Sequence, residues 1–191
     1  LIKEKSSHQT YKVDIYTDGS KGDSGVGSGV AIFIDQELVH QLQYKLHRRC
    51  SNNQEQYAIL KALEQLELLQ QLQDVRKSAA IHNSRITLDS LRNFDNHHHL
   101  IEQIRKQIRK LETLNWTIHF AWVKAHAGLA GNELADHLAK QAASNNELPV
   151  SFDRIPVSDI MRELQEESVV KWESEWQNTI NGAVTKSFFP V

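Results

Sequence analysis

The sequence predicts an α/β fold, a five-stranded mixed sheet flanked by helices and followed by a C-terminal helical appendage. Three observations carry that expectation. Val13, Ile15 and Thr17 alternate with Asp14, Tyr16 and Asp18, the period-two pattern of a strand with one buried face. Two more strand-like runs follow at residues 29–34 and 38–46, with Asp35-Gln36 between them as a hairpin turn. From residue 53 onward, apolar positions at helical spacing alternate with short β-like runs, the order that places a mixed sheet between helices.

Taken in order, the strand at residues 12–17 runs into Gly19-Ser20, read as a turn, and leaves Asp18 at its carboxyl end. That end of an α/β sheet is where ligands bind, and Gly19 allows a substrate backbone to come close; a turn-forming Asp fits the same pattern. A helix over residues 53–71 has Ala58, Ile59, Ala62, Leu63 and Leu66 on one stripe, and Glu55 begins that stripe. A glutamate on a core-facing side is costly unless neutralised, and a metal ion shared with Asp18 and Asp136 would neutralise it. Capping is the alternative role, since Ser51, Asn52 and Asn53 stand at the helix start. A strand at residues 78–82, helices at 84–93 and 100–114 and a strand at 116–123 follow. Gly128 and Gly131 then mark a turn, and Asn132 is read as the cap of a helix over residues 132–144. On this reading Asp136 lies in the first helical turn, near the positive end of the dipole, and projects back toward the loop carrying His126, a place to hold a cation or a phosphate.

Domain organisation is read as a leader at residues 1–10, a folded domain at 11–146, and a linker with a helical extension at 147–191. Pro149 and Pro156 bracket the linker. Ser158 caps a helix to about residue 177 that carries Ile160, Leu164, Trp172 and Trp176 near one face, to dock on the domain or to face the next part of a larger protein. The apolar tail Phe188-Phe189-Pro190-Val191 suggests that the chain continues.

Lys plus Arg total 22 against 24 Asp plus Glu, a net charge of -2, so no global basic field announces a nucleic-acid partner. Local patches must serve: Lys45, Arg48 and Arg49; Arg105, Lys106, Arg109 and Lys110; and Lys124. The single cysteine, Cys50, excludes an intramolecular disulfide and a thiolate zinc site. The polar first ten residues and the absence of a long apolar run predict an intracellular protein of nucleus or cytoplasm. His97-His98-His99 is read as a solvated turn.

Four segments together carry a resemblance: Tyr16-Thr17-Asp18-Gly19-Ser20, Asn52-Asn53-Gln54-Glu55, Asn83-Ser84-Arg85, and His126 through Gly131-Asn132-Glu133-Leu134-Ala135-Asp136. The last is highly specific. In them the chain resembles the type I ribonuclease H family, and within it the ribonuclease H domain of non-LTR retrotransposon polyproteins. The resemblance implies the ribonuclease H-like fold and endonucleolytic hydrolysis of the RNA strand of RNA/DNA hybrids, as part of a polyprotein that includes a reverse transcriptase. It implies that Asp18, Glu55, Asn83 and Asp136 surround the metals and that His126 assists proton transfer or product departure. Gly19, Ser20, Asn52, Asn53, Ser84, Lys124 and Asn132 would contact substrate, and the 2′-OH would mark the RNA strand. Hard carboxylate oxygens select Mg²⁺ or Mn²⁺, and two such ions about 3.5 to 4 Å apart can support an in-line displacement at phosphorus.

This chain departs from the family at two points. Asn83 stands where the family has Asp, and the spacing between the paired asparagines and Glu55 is one residue shorter than usual. Two other readings therefore stay open: a hybrid-binding module of the same fold with impaired catalysis, and an integrase- or transposase-like nuclease in which Glu133 serves as the last carboxylate.

Overall fold

The structure, a computed structural model, describes residues 13–50, 53–69, 78–83, 85–123, 128–155 and 157–179. The strands are β1 (Val13–Gly22), β2 (Gly25–Ile34), β3 (Glu37–Leu46), β4 (Ser78–Asn83), β5 (Thr117–Trp122) and β6 (Val150–Phe152). The α-helices are α1 (Gln54–Leu68), α2 (Arg85–Arg92), α3 (His99–Thr113), α4 (Ala130–Ser144) and α5 (Val157–Asn178). One mixed sheet has the order β5-β4-β1-β2-β3-β6, with β1, β2 and β3 antiparallel and β4 parallel to both β1 and β5.

The β2–β3 turn falls at Asp35-Gln36, with φ of 50° and 71°, the paired positive angles that a two-residue hairpin turn demands. Ile15, Ile32, Ile59, Leu63, Leu66, Ile81, Leu100, Ile101, Ile104 and Leu111 are fully buried and form the core that α1 and α3 share with the sheet.

Strand β1 does not stop before Gly19-Ser20. It continues to Gly22, pairing Asp18 with Gly29 and Gly19 with Ser28. Pairing with β4, however, is registered only as far as Tyr16↔His82, so Asp18 lies just past the carboxyl end of the parallel part of the sheet. The start of β2 at Gly25, four residues earlier than the sequence suggests, has a packing cause. A Cβ at Gly27 or Gly29 would collide with the carbonyl oxygens of Ala139 and Ala135, so these glycines let α4 lie directly on the sheet.

A sixth strand, β6, lies in the stretch read as linker. It pairs in parallel with β3 through Lys45↔Val150 and Leu46↔Phe152. Tyr57 Oη donates to Ser151 O at 3.1 Å, and the Phe152 ring packs 5.1 Å from that of Tyr57. Three residues are too few to show an alternation, which is why the five-strand reading omits them.

The chain divides into two compact units, Leu1–Asp153 and Arg154–Val191. Within the second, α5 stacks Trp172 on Trp176 with ring centroids 5.4 Å apart and leaves Leu164, Val170 and Trp172 exposed. No helix among the described residues is long and apolar enough to cross a membrane.

Candidate active site

Alternation along β1 sets the geometry. Val13, Ile15 and Thr17 are buried, while Asp14, Tyr16 and Asp18 take the opposite face, where α4 packs with Gly131 against the Tyr16 ring. Gly19 faces α1: a Cβ there would collide with the Gln54 side chain and stand 2.9 Å from the backbone nitrogen of Glu55. The glycine of the Asp18-Gly19 pair therefore opens no turn. It lets the first turn of α1 abut β1 and so delivers Glu55 to Asp18.

Asp18 Oδ1 accepts a hydrogen bond from the Gly19 N–H at 2.8 Å. Burial nevertheless pushes its carboxyl up to about 6, against that hydrogen bond, and the negative charges of Asp136 and Glu55 add to the rise while Lys140 opposes it. Glu55 and Asp136, from two helices, thus both lie within electrostatic reach of Asp18 on the strand.

Asp136 reaches the site by a different route from the expected one. Helix α4 begins at Ala130, with Leu129 as its N-cap, so Asn132 sits inside the first turn and is not the cap. Asp136 falls in the second turn, where the dipole of the helix end has largely faded. What holds it in place is the close seating of α4 on Gly27, Gly29 and Tyr16. Its Oδ2 accepts from Lys140 Nζ at 2.7 Å.

Glu55 lies in the first turn of α1, and its Oε2 accepts from Thr87 Oγ1 at 2.8 Å. Thr87, on α2 four residues past Asn83, ties this helix start to the end of β4. Sequence reasoning missed Thr87, which carries no signal beyond its distance from Asn83. It missed Lys140 too, although the spacing of four residues from Asp136 was visible.

Asn83 ends β4 as expected and is 2% exposed. Its Nδ2 donates to Thr17 Oγ1 at 2.7 Å and toward Thr17 O at 3.4 Å, while Thr17 Oγ1 donates to His82 O at 3.2 Å. Asn83 Oδ1 is left buried with no hydrogen-bond partner. A donor-free oxygen at the end of β4, with Asp18 two residues past the parallel pairing of β1 with that strand, suits a hard divalent cation. Among the described residues, no three His, Cys, Asp or Glu side chains are already drawn together to hold one.

Of the other expected contacts, Asn53 is buried at the N-cap position of α1 without a side-chain capping bond, and Ser20 and Asn132 are half-buried. Asn52, Ser84, Lys124 and His126 lie outside the described residues. Two of the basic patches are partly structural. Lys45 Nζ donates to Asn145 O and Asn146 Oδ1; Arg105 holds the carbonyl oxygens of Leu91, Asn93 and Asn96; and Lys110 pairs with Glu67 at 2.6 Å. A cavity of about 450 Å³ adjoins the strand ends, with Tyr16, His82, Arg85, Arg92 and Trp122 among its walls. His97-His98-His99 is exposed, and His97 Nδ1 lies 3.3 Å from Glu102.

Comparison with known proteins identifies the family. Residues 10–144 match the family described as RNase H. Ribonuclease H of Vibrio cholerae serotype O1 is 33% identical over 150 residues, which span 70% of this chain and 90% of that protein. RNase H1 from the halophilic archaeon Halobacterium salinarum NRC-1 superposes with a TM-score of 0.52 at 21% identity, covering 68% of this chain and 96% of that one. LC11-RNase H1, solved in complex with an RNA/DNA hybrid, gives a TM-score of 0.52 at 20% identity, covering 69% and 99%. At such identities the two structures establish a shared fold.

Proposed function

We propose, because the chain belongs to the ribonuclease H family, that it hydrolyses the RNA strand of RNA/DNA hybrids endonucleolytically around Asp18, Glu55, Asn83 and Asp136. The observation that carries this reading is the burial of Asp18 within electrostatic reach of Asp136 and Glu55: burial first, and the two charges after it, raise its proton affinity, which a cation would relieve. Bound Mg²⁺ or Mn²⁺, two ions in a full site, would activate an attacking water and neutralise charge on the phosphate oxygens.

The remaining work falls to the chain's own groups. Asp18, Glu55 and Asp136 supply hard oxygens, and the Thr87 hydrogen bond fixes the orientation of Glu55. Asn83 offers a neutral oxygen in place of a charged one, so the site has one negative charge fewer than its family pattern and cleavage is slow. His126 takes or gives a proton as product departs. On this reading Gly19, Ser20, Asn52, Asn53, Ser84, Lys124 and Asn132 would contact substrate, as the resemblance implies, with buried Asn53 doing so through its backbone or after a shift, and the 2′-OH would be read there. A place in a retrotransposon polyprotein with a reverse transcriptase, acting in nucleus or cytoplasm, rests on the resemblance of the four segments taken together. Removal of template RNA after first-strand synthesis would be its task.

The test separates chemistry from binding. Asp18→Asn and Glu55→Gln should bind a labelled hybrid within a few-fold of the parent chain, because affinity comes mainly from phosphate contacts, and should lose Mg²⁺-dependent cleavage. Retained cleavage in either variant overturns the assignment.

A further inference from the structure

We propose that Lys140 is a resident counter-cation of the carboxylate cluster: its ammonium holds Asp136 Oδ2 while no divalent ion is bound and must release it to an ion that enters. This rests on the reading that the cluster takes a divalent cation. Lys140 lies one helical turn beyond Asp136, with Nζ 2.7 Å from Oδ2.

Acid-then-base spacing of four residues brings such pairs together on any helix, and on an open surface the pair would mean little. Two features set this one apart. Three other ion pairs four residues apart, Arg85–Asp89, Arg162–Glu166 and Lys171–Glu175, run base-then-acid, the weaker orientation, and stand at 3.7, 3.9 and 3.9 Å, with carboxylates 57%, 69% and 67% exposed. Asp136 is 26% exposed and its pair is a full ångström shorter. The Lys140 charge also acts on two acids at once, touching Asp136 and reaching Asp18 through space.

The charge count then decides what the ammonium does. Asp18, Glu55 and Asp136 contribute three negative charges, Asn83 none, and Lys140 returns one positive charge to the helix that delivers Asp136. A monovalent cation therefore occupies the α4 side of the cluster. Its stem is 59% exposed, so it can swing into solvent without unpacking the core. Lys140 is thus a positioning residue: it keeps Asp136 ordered in the ion-free protein and sets the threshold that a divalent ion must overcome.

The test is calorimetric titration of the full chain with Mn²⁺ in the absence of nucleic acid, together with thermal melts with and without the ion. Lys140→Met keeps the stem and removes the charge. It should bind Mn²⁺ about tenfold more tightly, the scale of losing one repelling charge a few ångströms from a dication in a partly solvated site. It should also melt lower than the parent chain without the ion and level with it at saturation. Lys140→Arg, which keeps the charge, should bind within about threefold of the parent chain. Unchanged or weaker binding by Lys140→Met, with normal binding by the parent, overturns the counter-cation alone. If the parent chain, Lys140→Met and Asn83→Asp all fail to take up Mn²⁺, the reading of the cluster as a metal site falls with it.

Discussion

Asn83→Asp should make the ion-free protein less stable and the ion-loaded protein a better nuclease, and both effects follow from one hydrogen-bond network. Asn83 Nδ2 now donates to Thr17 Oγ1 at 2.7 Å, and Thr17 Oγ1 spends its own proton on His82 O. A carboxylate cannot donate. Thr17 would have to turn its proton toward the new oxygen, abandoning His82 O, and that same oxygen would also face Thr17 O at about the 3.4 Å now spanned by the amide nitrogen. Each unmet buried group costs about 1–3 kcal/mol, and the new charge is 2% exposed. Without metal, a loss of roughly 2–4 kcal/mol is expected, or about 5–15 °C in melting temperature for a domain of this size. With Mg²⁺ the same charge becomes a ligand. Restoring it should raise hybrid cleavage by about 10²–10³, equivalent to roughly 2.7–4 kcal/mol of transition-state stabilisation, and change hybrid affinity little. Initial cleavage rates across a Mg²⁺ titration, paired with melts in chelator, measure both halves. No gain in rate, or a variant more stable than the parent in chelator, would refute the reasoning.

Gly29→Ala should cost roughly 1–3 kcal/mol by overpacking, since its Cβ meets Ala135 O, and should cut cleavage further than stability explains because the shift of α4 carries Asp136 with it; urea melts and rates at matched folded fraction check this. Asp18 titrates near 6 when folded, against an ordinary 3.8, so the folded state holds the extra proton in between and stability falls as pH rises through that window. The difference between the parent chain and Asp18→Asn in chelator should show this loss, about 2 kcal/mol or less given partial solvation, and saturating Mg²⁺ should reverse it. Truncation after Asp153 should leave the first unit folded by circular dichroism, whereas truncation after Asn146 removes β6 and the Tyr57 contacts and should lower its melting temperature.

What was legible in the sequence had local causes. The alternation at Val13–Thr17 and the two-residue turn at Asp35-Gln36 act over a few residues, so pattern reveals them. The first half of β2 was hidden because Gly25 and Gly27 show no apolar alternation, and the helix that requires them arrives more than a hundred residues later. Distance along the chain also hid the role of Gly19, which answers to Gln54 and Glu55 of α1 rather than to a turn. Asp136 was legible as a site residue through its motif, but the argument from the helix dipole placed it one turn too early, since nothing local marks Leu129 as a cap. Thr87 and the partners of Asn83 were out of reach because neighbouring strands and helices, not sequence neighbours, supply them.

The central claim is that this carboxylate cluster cuts RNA paired with DNA, and a strand-resolved cleavage assay tests it most directly. The chain is incubated with a hybrid labelled separately on each strand, with duplex DNA of the same sequence alongside, in Mg²⁺, in Mn²⁺ and in chelator. The expected result is slow internal cutting of the RNA strand alone, dependent on the divalent ion, with the DNA strand and the duplex intact. Cutting of duplex DNA, cutting in chelator, or tight hybrid binding with no cleavage in either ion would contradict the account.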